Sequence, residues 1–390
     1  MSKLEELIQE LCPNGVEYKT IGEVCDISRG RVMSKDFIRD NEGEYPVYSS
    51  QTENNGELGK INTYMFDGEY ITWTTDGANA GTVFYRTGKF SVTNVCGLLK
   101  LKEDNLLCKF LYYYLTTATE PYVNKGMGNA KLMSNVMAII KVPIPPMEVQ
   151  SEIVRILDNF TLLTAELTAE LTARKEQYQY YLDMLFESCN GESRTLDEIG
   201  VFTRGKRFVH ADAVTQDGIP CIHYGELYTY YGVVANQSKS QIRKSILEEK
   251  KLRYAKKGDV IIVGAGENDE DIGIGVAWNG DYEVAVHDAC YIFETEENPK
   301  FISYYLRSSY YHKQIKAYVS RGKICAISSQ GIGKAIIKVP SIDEQKRIVD
   351  MIEQFYLYSN DITQGLPAEI ELRQKQYEYY RNKLLTFKEL

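Results

Sequence analysis

No apolar stretch in these 390 residues approaches the roughly 18–20 residues that a membrane-crossing helix needs. The opening segment Met1-Ser2-Lys3-Leu4-Glu5-Glu6-Leu7 alternates charge with leucine, unlike a secretory leader. The eight cysteines show no CxxC spacing, so they read as reduced, mostly buried thiols of a cytoplasmic protein. The phosphate-binding loop GxxxxGK[ST] is missing, because Gly331-Ile332-Gly333-Lys334-Ala335 lacks both the spacing and the hydroxyl. Val263-Gly264-Ala265-Gly266 follows an apolar run, but no helical pattern follows it, so it reads as a turn rather than a dinucleotide loop. The Asp/Asn-Pro-Pro-Tyr/Phe tetrapeptide of amino-methyltransferases is absent, and Pro145-Pro146 precedes Met147. Cys221-x-His223 and His287-x-x-Cys290 have zinc-ligand chemistry. The matching earlier positions Val47, Ser49, Thr93 and Cys96 could not repeat such a site, so no metal is expected. His210 and His312 stand alone and carry no argument. The missing motifs argue against a nuclease or a methyltransferase in its own right.

The chain also lacks net positive charge, at −9. That acidity is concentrated. Residues 147–187 hold eight acids against three bases, residues 343–390 nine against seven, and the first fourteen residues three against one, leaving the remainder neutral. Local fields rather than the total govern docking to phosphate.

What is present is a duplication. Thr20-Ile21-Gly22-Glu23-Val24 through Ser28-Arg29-Gly30-Arg31 returns as Thr195-Leu196-Asp197-Glu198-Ile199 through Thr203-Arg204-Gly205-Lys206. Arg174-Lys175-Glu176-Gln177-Tyr178-Gln179-Tyr180-Tyr181 returns as Arg373-Gln374-Lys375-Gln376-Tyr377-Glu378-Tyr379-Tyr380. The period far exceeds a solenoid repeat, so the doubled object is a domain followed by a helix. The offset drifts from 175 to 197 between the first match and the Val142-Pro143/Val339-Pro340 match, placing about 22 extra residues in the middle of the second copy.

The organisation expected is an N-terminal helix over 1–14, a mixed α/β domain over 15–146 and a long helix over 147–187. A second mixed domain over 188–342 and a second long helix over 343–390 follow. The class is α+β. A 4-3 alternation runs through Ile153, Leu157, Phe160, Thr164, Leu167, Leu171, Arg174, Tyr178, Tyr181 and Leu185, with eight of ten positions apolar, which predicts a coiled-coil seam rather than a broad stripe. Ile348, Ile352, Phe355, Tyr377, Tyr380 and Leu384 carry the second seam. Its offset to the first grows from 195 to 199, a four-residue stutter near Gln364-Gly365-Leu366-Pro367 that predicts a kinked or split helix.

Binding chemistry is easier to find than catalysis. Arg29-Gly30-Arg31 and Arg204-Gly205-Lys206-Arg207 place bases around a glycine that lets a backbone approach a phosphate, with Lys35 close by. Residues 241–257 hold seven bases against two acids, including Arg243, Lys244, Lys250 and Lys251. Lys125 and Lys131 flank one glycine-rich loop, and Arg321-Gly322-Lys323 forms its counterpart. Ser50, Gln51, Thr74, Thr75, His223 and Tyr224, in polar turns, offer donors and acceptors for base edges.

Together the Thr-Ile-Gly-Glu-Val-type strand, the Val-Pro-Ile-Pro-Pro linker, Gln150 and Ile153, the repeat Pro340, Gln345 and Ile348, and the tyrosine endings resemble the specificity (S) subunits of type I restriction–modification systems. The resemblance covers essentially the whole chain. It implies two target-recognition domains reading a split, asymmetric site in double-stranded DNA, with the two helices paired antiparallel as a spacer. It implies two methyltransferase (M) subunits, which would bring S-adenosylmethionine and methylate adenine, together with restriction/translocase (R) subunits. This chain would hold no cofactor and catalyse nothing. From Phe160 to Leu185 a helix rises roughly 40 Å, comparable to one turn of B-DNA. The alternative is a two-domain coiled-coil scaffold or ligand-binding protein without DNA recognition.

Overall fold

The structure, a computed structural model, describes residues 3–126, 128–360 and 366–390. The chain divides into two compact units, residues 1–167 with 370–390 and residues 168–369.

In the first unit a six-stranded sheet runs in the order Cys25–Arg29, Cys96–Leu101, Phe66–Thr74, Val83–Val92, Glu42–Tyr48, Glu57–Ile61. Its pairs are antiparallel, except that Val47 and Tyr48 run parallel to Ser91 and Val92. The β-rich run Tyr70-Ile71-Thr72-Trp73 is buried throughout, and Trp73 is fully enclosed against a core that includes Phe110 and Leu111 of the helix Cys108–Ala118. A ribbon of Glu17–Thr20 against Lys141–Ile144 brings the two ends of this region together.

The second unit repeats the frame and elaborates it. Gly200–Arg204, Cys290–Thr295 and Val260–Val263 pair as their counterparts do, and Glu192–Thr195 pairs with Ile336–Val339 as the closing ribbon. Here the strands divide between two five-stranded sheets and a two-stranded pair, Ala265–Gly266 with Cys325–Ala326. The extra residues contribute Val234–Ala235, Ser240–Ile242 and Tyr254–Ala255 to the five-stranded sheets and seat Ile242, Ile246 and Leu252 in a small core with Phe208 and Cys221. In both units a capping pair starts the short helix after the first ribbon strand: Glu23 accepts from the Thr20 N–H at 2.6 Å, and Glu198 from the Thr195 N–H at 2.7 Å.

A duplicated buried glutamine locks each long helix to its domain. Gln150 accepts from the Leu107 N–H and donates to the carbonyls of Pro145 and Asn105. Gln345 accepts from the Asn298 N–H and donates to the Pro340 carbonyl and to Glu297. Both are fully buried. A near-isosteric leucine would strand the Leu107 N–H and the Pro145 carbonyl, at about 1–3 kcal/mol for each unsatisfied group. Trp73 reports on the first unit and Trp278 on the second. Gln150→Leu is therefore expected to lower the urea midpoint read from Trp73, in a chain carrying Trp278→Phe, by an amount equivalent to about 2–4 kcal/mol. The midpoint read from Trp278, in a chain carrying Trp73→Phe, should hold; equal movement of both would refute the local account.

The central helix spans Met147–Ser188, and the C-terminal region contributes helices Ile342–Asn360 and Leu366–Leu384. The stutter at Gln364-Gly365-Leu366-Pro367 lies partly at residues 361–365, outside the described residues. In the first unit Phe160 stacks on Tyr380 at 5.5 Å, while Tyr377 and Leu384 pack on the core. In the second, Tyr181 stacks on Phe355 at 5.1 Å and Tyr178 meets Tyr356 at 5.9 Å. The 4-3 seam is, however, no uniform coiled-coil stripe. Val149, Ile153, Leu157, Leu182 and Phe186 are buried in domain cores, whereas Leu167 and Leu171 are only half-buried. The ends of the helix pack on globular domains, so they need the wider apolar face that a two-position seam leaves out. Ile348 and Ile352 are buried for the same reason.

Candidate nucleic-acid interface

The two Arg-Gly loops are built alike. Gly30 lies so close to the sheet that a Cβ there would stand 1.7 Å from the Val92 carbonyl oxygen, and one on Gly205 would stand 2.1 Å from that of His287. The glycines were expected to let the backbone approach a phosphate; instead the protein's own strands occupy that space. What the packing achieves is projection of the flanking bases. Arg31 bridges Thr93 in parallel fashion, and the Lys206 N–H donates to the Val286 carbonyl at 2.9 Å. Arg31 and Lys206 are exposed, Arg31 lying 5.6 Å from the Phe37 ring centre. Arg29 and Arg204 are partly committed, to Ser134 at 3.1 Å and to the Asp288 carbonyl at 2.7 Å. Lys35 is exposed.

Hydrogen bonds join several loops of the first unit along the edge formed by the ends of strands Glu42–Tyr48, Phe66–Thr74 and Val83–Val92. Thr93 bonds Ser49 at 3.1 Å, Asn79 bonds Thr52 at 2.9 Å, and Gly77 bonds the Ala130 carbonyl at 3.0 Å. This edge carries Arg31, Ser50, Gln51 and Lys131. The amide of Gln51 is turned inward to the Glu57 carbonyl. Thr74 and Thr75, expected to face bases, are fully buried. The Thr74 hydroxyl bonds the Asn79 carbonyl, and that of Thr75 bonds Asp76 and the Val95 carbonyl. They brace the loops from beneath, since Thr74 ends the core strand Phe66–Thr74 and Thr75 follows it directly. Lys125 pairs with Glu120 at 2.6 Å, and Lys131 lies 3.9 Å from Asp76.

In the second unit a cleft of about 900 Å³ opens beside the loop. It brings together Arg204, Arg207, His223 and Tyr224 with Lys239 and Asn268. Burial holds the imidazole of His287 below its usual pKa, and its Nδ1 accepts the Ala289 N–H at 3.1 Å. The basic segment 241–257 does not act as one patch. Arg243 is spent on Asp212 and Glu249, at 2.9 and 2.6 Å. Lys250 and Arg253 donate to the carbonyls of Arg207 and Arg204, which draws their charge toward the Arg-Gly loop. Lys244 and Lys251 are exposed. Arg321 pairs with Asp269 at 2.8 Å, and Lys323 is exposed.

Cys221 and Cys290 are fully buried, the Cys221 thiol pushed up to about 12. The His223 and His287 rings lie 5.5 Å apart. Among the described residues no group of three or more His, Cys, Asp or Glu side chains is placed to hold a metal ion. Among the described residues no helix is long and apolar enough to cross a membrane.

Val32, exposed next to Arg31, and Lys239 and Asn268 of the cleft carry no sequence motif of their own. Val32 is apolar, and the other two lie outside any glycine-flanked basic motif. Only alignment of the two copies, residue by residue through the Arg-Gly loop, would have drawn attention to Val32.

The type I restriction modification DNA specificity domain matches residues 13–176 and again 190–372. A putative type I specificity subunit of Mycoplasma pneumoniae is 33% identical over 369 residues, covering 94% of this chain and 96% of that protein. The N-terminal part of another from the same organism is 49% identical over 178 residues, covering 44% of this chain and 95% of that protein. A solved chain described under complex assembly and conformational transition of the type I R-M system aligns with a TM-score of 0.65 at 12% identity, covering 96% of this chain and 98% of that one, which shows a shared fold.

Proposed function

We propose, from the premise that this chain belongs to the type I restriction–modification DNA specificity family, that it reads a bipartite, asymmetric site in double-stranded DNA and directs adenine methylation by partner subunits. The observation that carries the reading is the duplicated Arg-Gly loop. In each unit a close-packed glycine fixes a loop whose next residue, Arg31 or Lys206, is an exposed base. Bases held in fixed positions beside polar loop residues combine phosphate anchoring with base readout. Arg29, Arg31, Lys35, Ser50, Gln51, Lys125 and Lys131 would serve the first half-site. Arg204, Lys206, Arg207, His223, Tyr224, Lys244, Lys250, Lys251, Arg321 and Lys323 would serve the second. Thr74, Thr75 and Arg243 support those loops from within.

The helices would act as spacer and dock two methyltransferase subunits, with restriction subunits joining the complex. Repeated exposed rings favour a repeated docking surface: Tyr180 is 65% exposed and its counterpart Tyr379 is 61%. S-adenosylmethionine and the extrusion of the target adenine would belong to the partner.

Replacing residues 15–145 with those of another family member is the direct test. The methylated motif, read by methylation-sensitive sequencing of cells making the hybrid and its methyltransferase, should change in one half-site alone. A change in both halves would sink the modular reading, and an absence of sequence-dependent methylation would favour the scaffold alternative. Arg31→Ala or Lys206→Ala should weaken binding to all duplexes by about tenfold and lower the salt slope by about one. Titration of duplex binding between low and moderate salt measures both.

A further inference from the structure

The two Arg-Gly loops match in burial as well as in sequence. After the packed glycine comes an exposed base, Arg31 or Lys206; then an exposed residue, Val32 or Arg207; then a buried anchor, Met33 or Phe208. Met33 sits in a small core with Ile38, Val47 and Ile61. Phe208 sits in one with Cys221, Ile242 and Leu252. The loop is thus pinned by the glycine on one side and by the anchor on the other. The residue between is held at the surface in both copies.

At that one position the copies differ completely in chemistry. Val32 is 79% exposed, the most exposed large hydrophobic residue among the described residues, on a loop where burying it would cost nothing in charge. Arg207 is exposed at the mouth of the cleft, and its guanidinium has no hydrogen-bond or ion-pair partner among the described residues. Its neighbours differ in this respect, since Arg204, Arg243, Arg253 and Arg321 all bond protein atoms. Lys250 holds the Arg207 backbone carbonyl at 3.1 Å, so the main chain is fixed while the fork of donors stays available.

We infer that the residue between the basic position and the buried anchor is a base reader in each unit, with Val32 contacting a thymine methyl group and Arg207 bonding a guanine. The inference rests on the DNA-reading function proposed above. In the major groove an apolar side chain recognises the 5-methyl of thymine, and an arginine fork matches the O6 and N7 acceptors of guanine. The preceding Arg31 or Lys206 would hold the adjacent phosphate and set the register. One loop architecture would then read two different bases, and the two copies would need no other change there to produce an asymmetric site.

The test uses the full chain assembled with its methyltransferase subunits and a randomised duplex library, with bound sequences counted. Arg207→Ala should erase a guanine preference of about tenfold or more at one position of one half-site. Val32→Ala should relax a thymine at one position of the other, and Val32→Arg should replace it with guanine. The opposite half-site and the gap should stay as they were in every case. Unchanged motifs in Arg207→Ala and Val32→Arg overturn the inference. So does an Arg207→Ala variant that binds every duplex more weakly while keeping its motif, which would make Arg207 a phosphate contact. If the unsubstituted complex selects no sequence at all, the DNA-reading function itself falls, and the inference with it. Both side chains are exposed, so thermal melting should match the parent chain.

Discussion

Gly205→Ala is expected to unfold its own unit, and Gly30→Ala the other. A methyl group on Gly205 would lie 2.1 Å from the His287 carbonyl oxygen and 2.4 Å from that of Val286. Neither atom can yield cheaply. Val286 pairs in parallel with Ile222, and its carbonyl already accepts the Lys206 N–H. On Gly30 the methyl would lie 1.7 Å from the Val92 oxygen and 2.8 Å from that of Thr93, whose N–H is bound to the Tyr48 carbonyl. Relief requires moving a buried strand by more than an ångström, which breaks ladder hydrogen bonds and opens a close-packed core. The loss should exceed about 4 kcal/mol, in the range reserved for gross steric conflict. Trp278 emission should report it for Gly205→Ala, with Trp73 emission doing so for Gly30→Ala. A variant melting within about 1 kcal/mol of its parent would show that the loop can lift off the sheet, and the pinned-loop argument would fail.

Deleting seven residues between 160 and 178 should shorten the gap of the methylated motif without altering either half-site. Seven residues are close to two helical turns, so the apolar face stays aligned while the helix loses about 10 Å. At about 3.4 Å per base pair along one strand, the gap should fall by about three base pairs. The region can accept the change because Leu167 and Leu171 are half-buried, whereas Leu157 and Leu182 are locked in domain cores. A five-residue deletion turns the face by about 140° and should abolish methylation instead. Long-read detection of methylated adenine distinguishes the outcomes, and retained methylation with an unchanged gap would remove the spacer role.

Much of this was legible in the linear chain. The duplication, the continuous central helix and the paired Arg-Gly loops follow from local pattern, because helical periodicity and repeat offsets are properties of neighbouring residues. The Gln150 and Gln345 repeats were visible as letters, but their clamps on Leu107 and Asn298 depend on contacts more than forty residues away. The polar run at Thr74 and Thr75 looked like a surface turn because composition cannot separate a solvated hydroxyl from one satisfied inside a loop. Arg243 looked like free charge for the same reason. Its partner Asp212 becomes a neighbour when strands Ala213–Val214 and Ser240–Ile242 pair, and Glu249 is brought back to it by the short helix Ile246–Glu249. Leu182 and Phe186 lay off the seam, and their burial depends on where a domain meets the helix.

By itself, then, the sequence determined that there are two copies of a domain and helix, which residues carry charge, and where glycine must stand. Tertiary structure decided which of those charges remain available and why the glycines are needed. Charge neutralisation, burial and steric exclusion act between residues distant in the chain, so they exist only once the strands have paired.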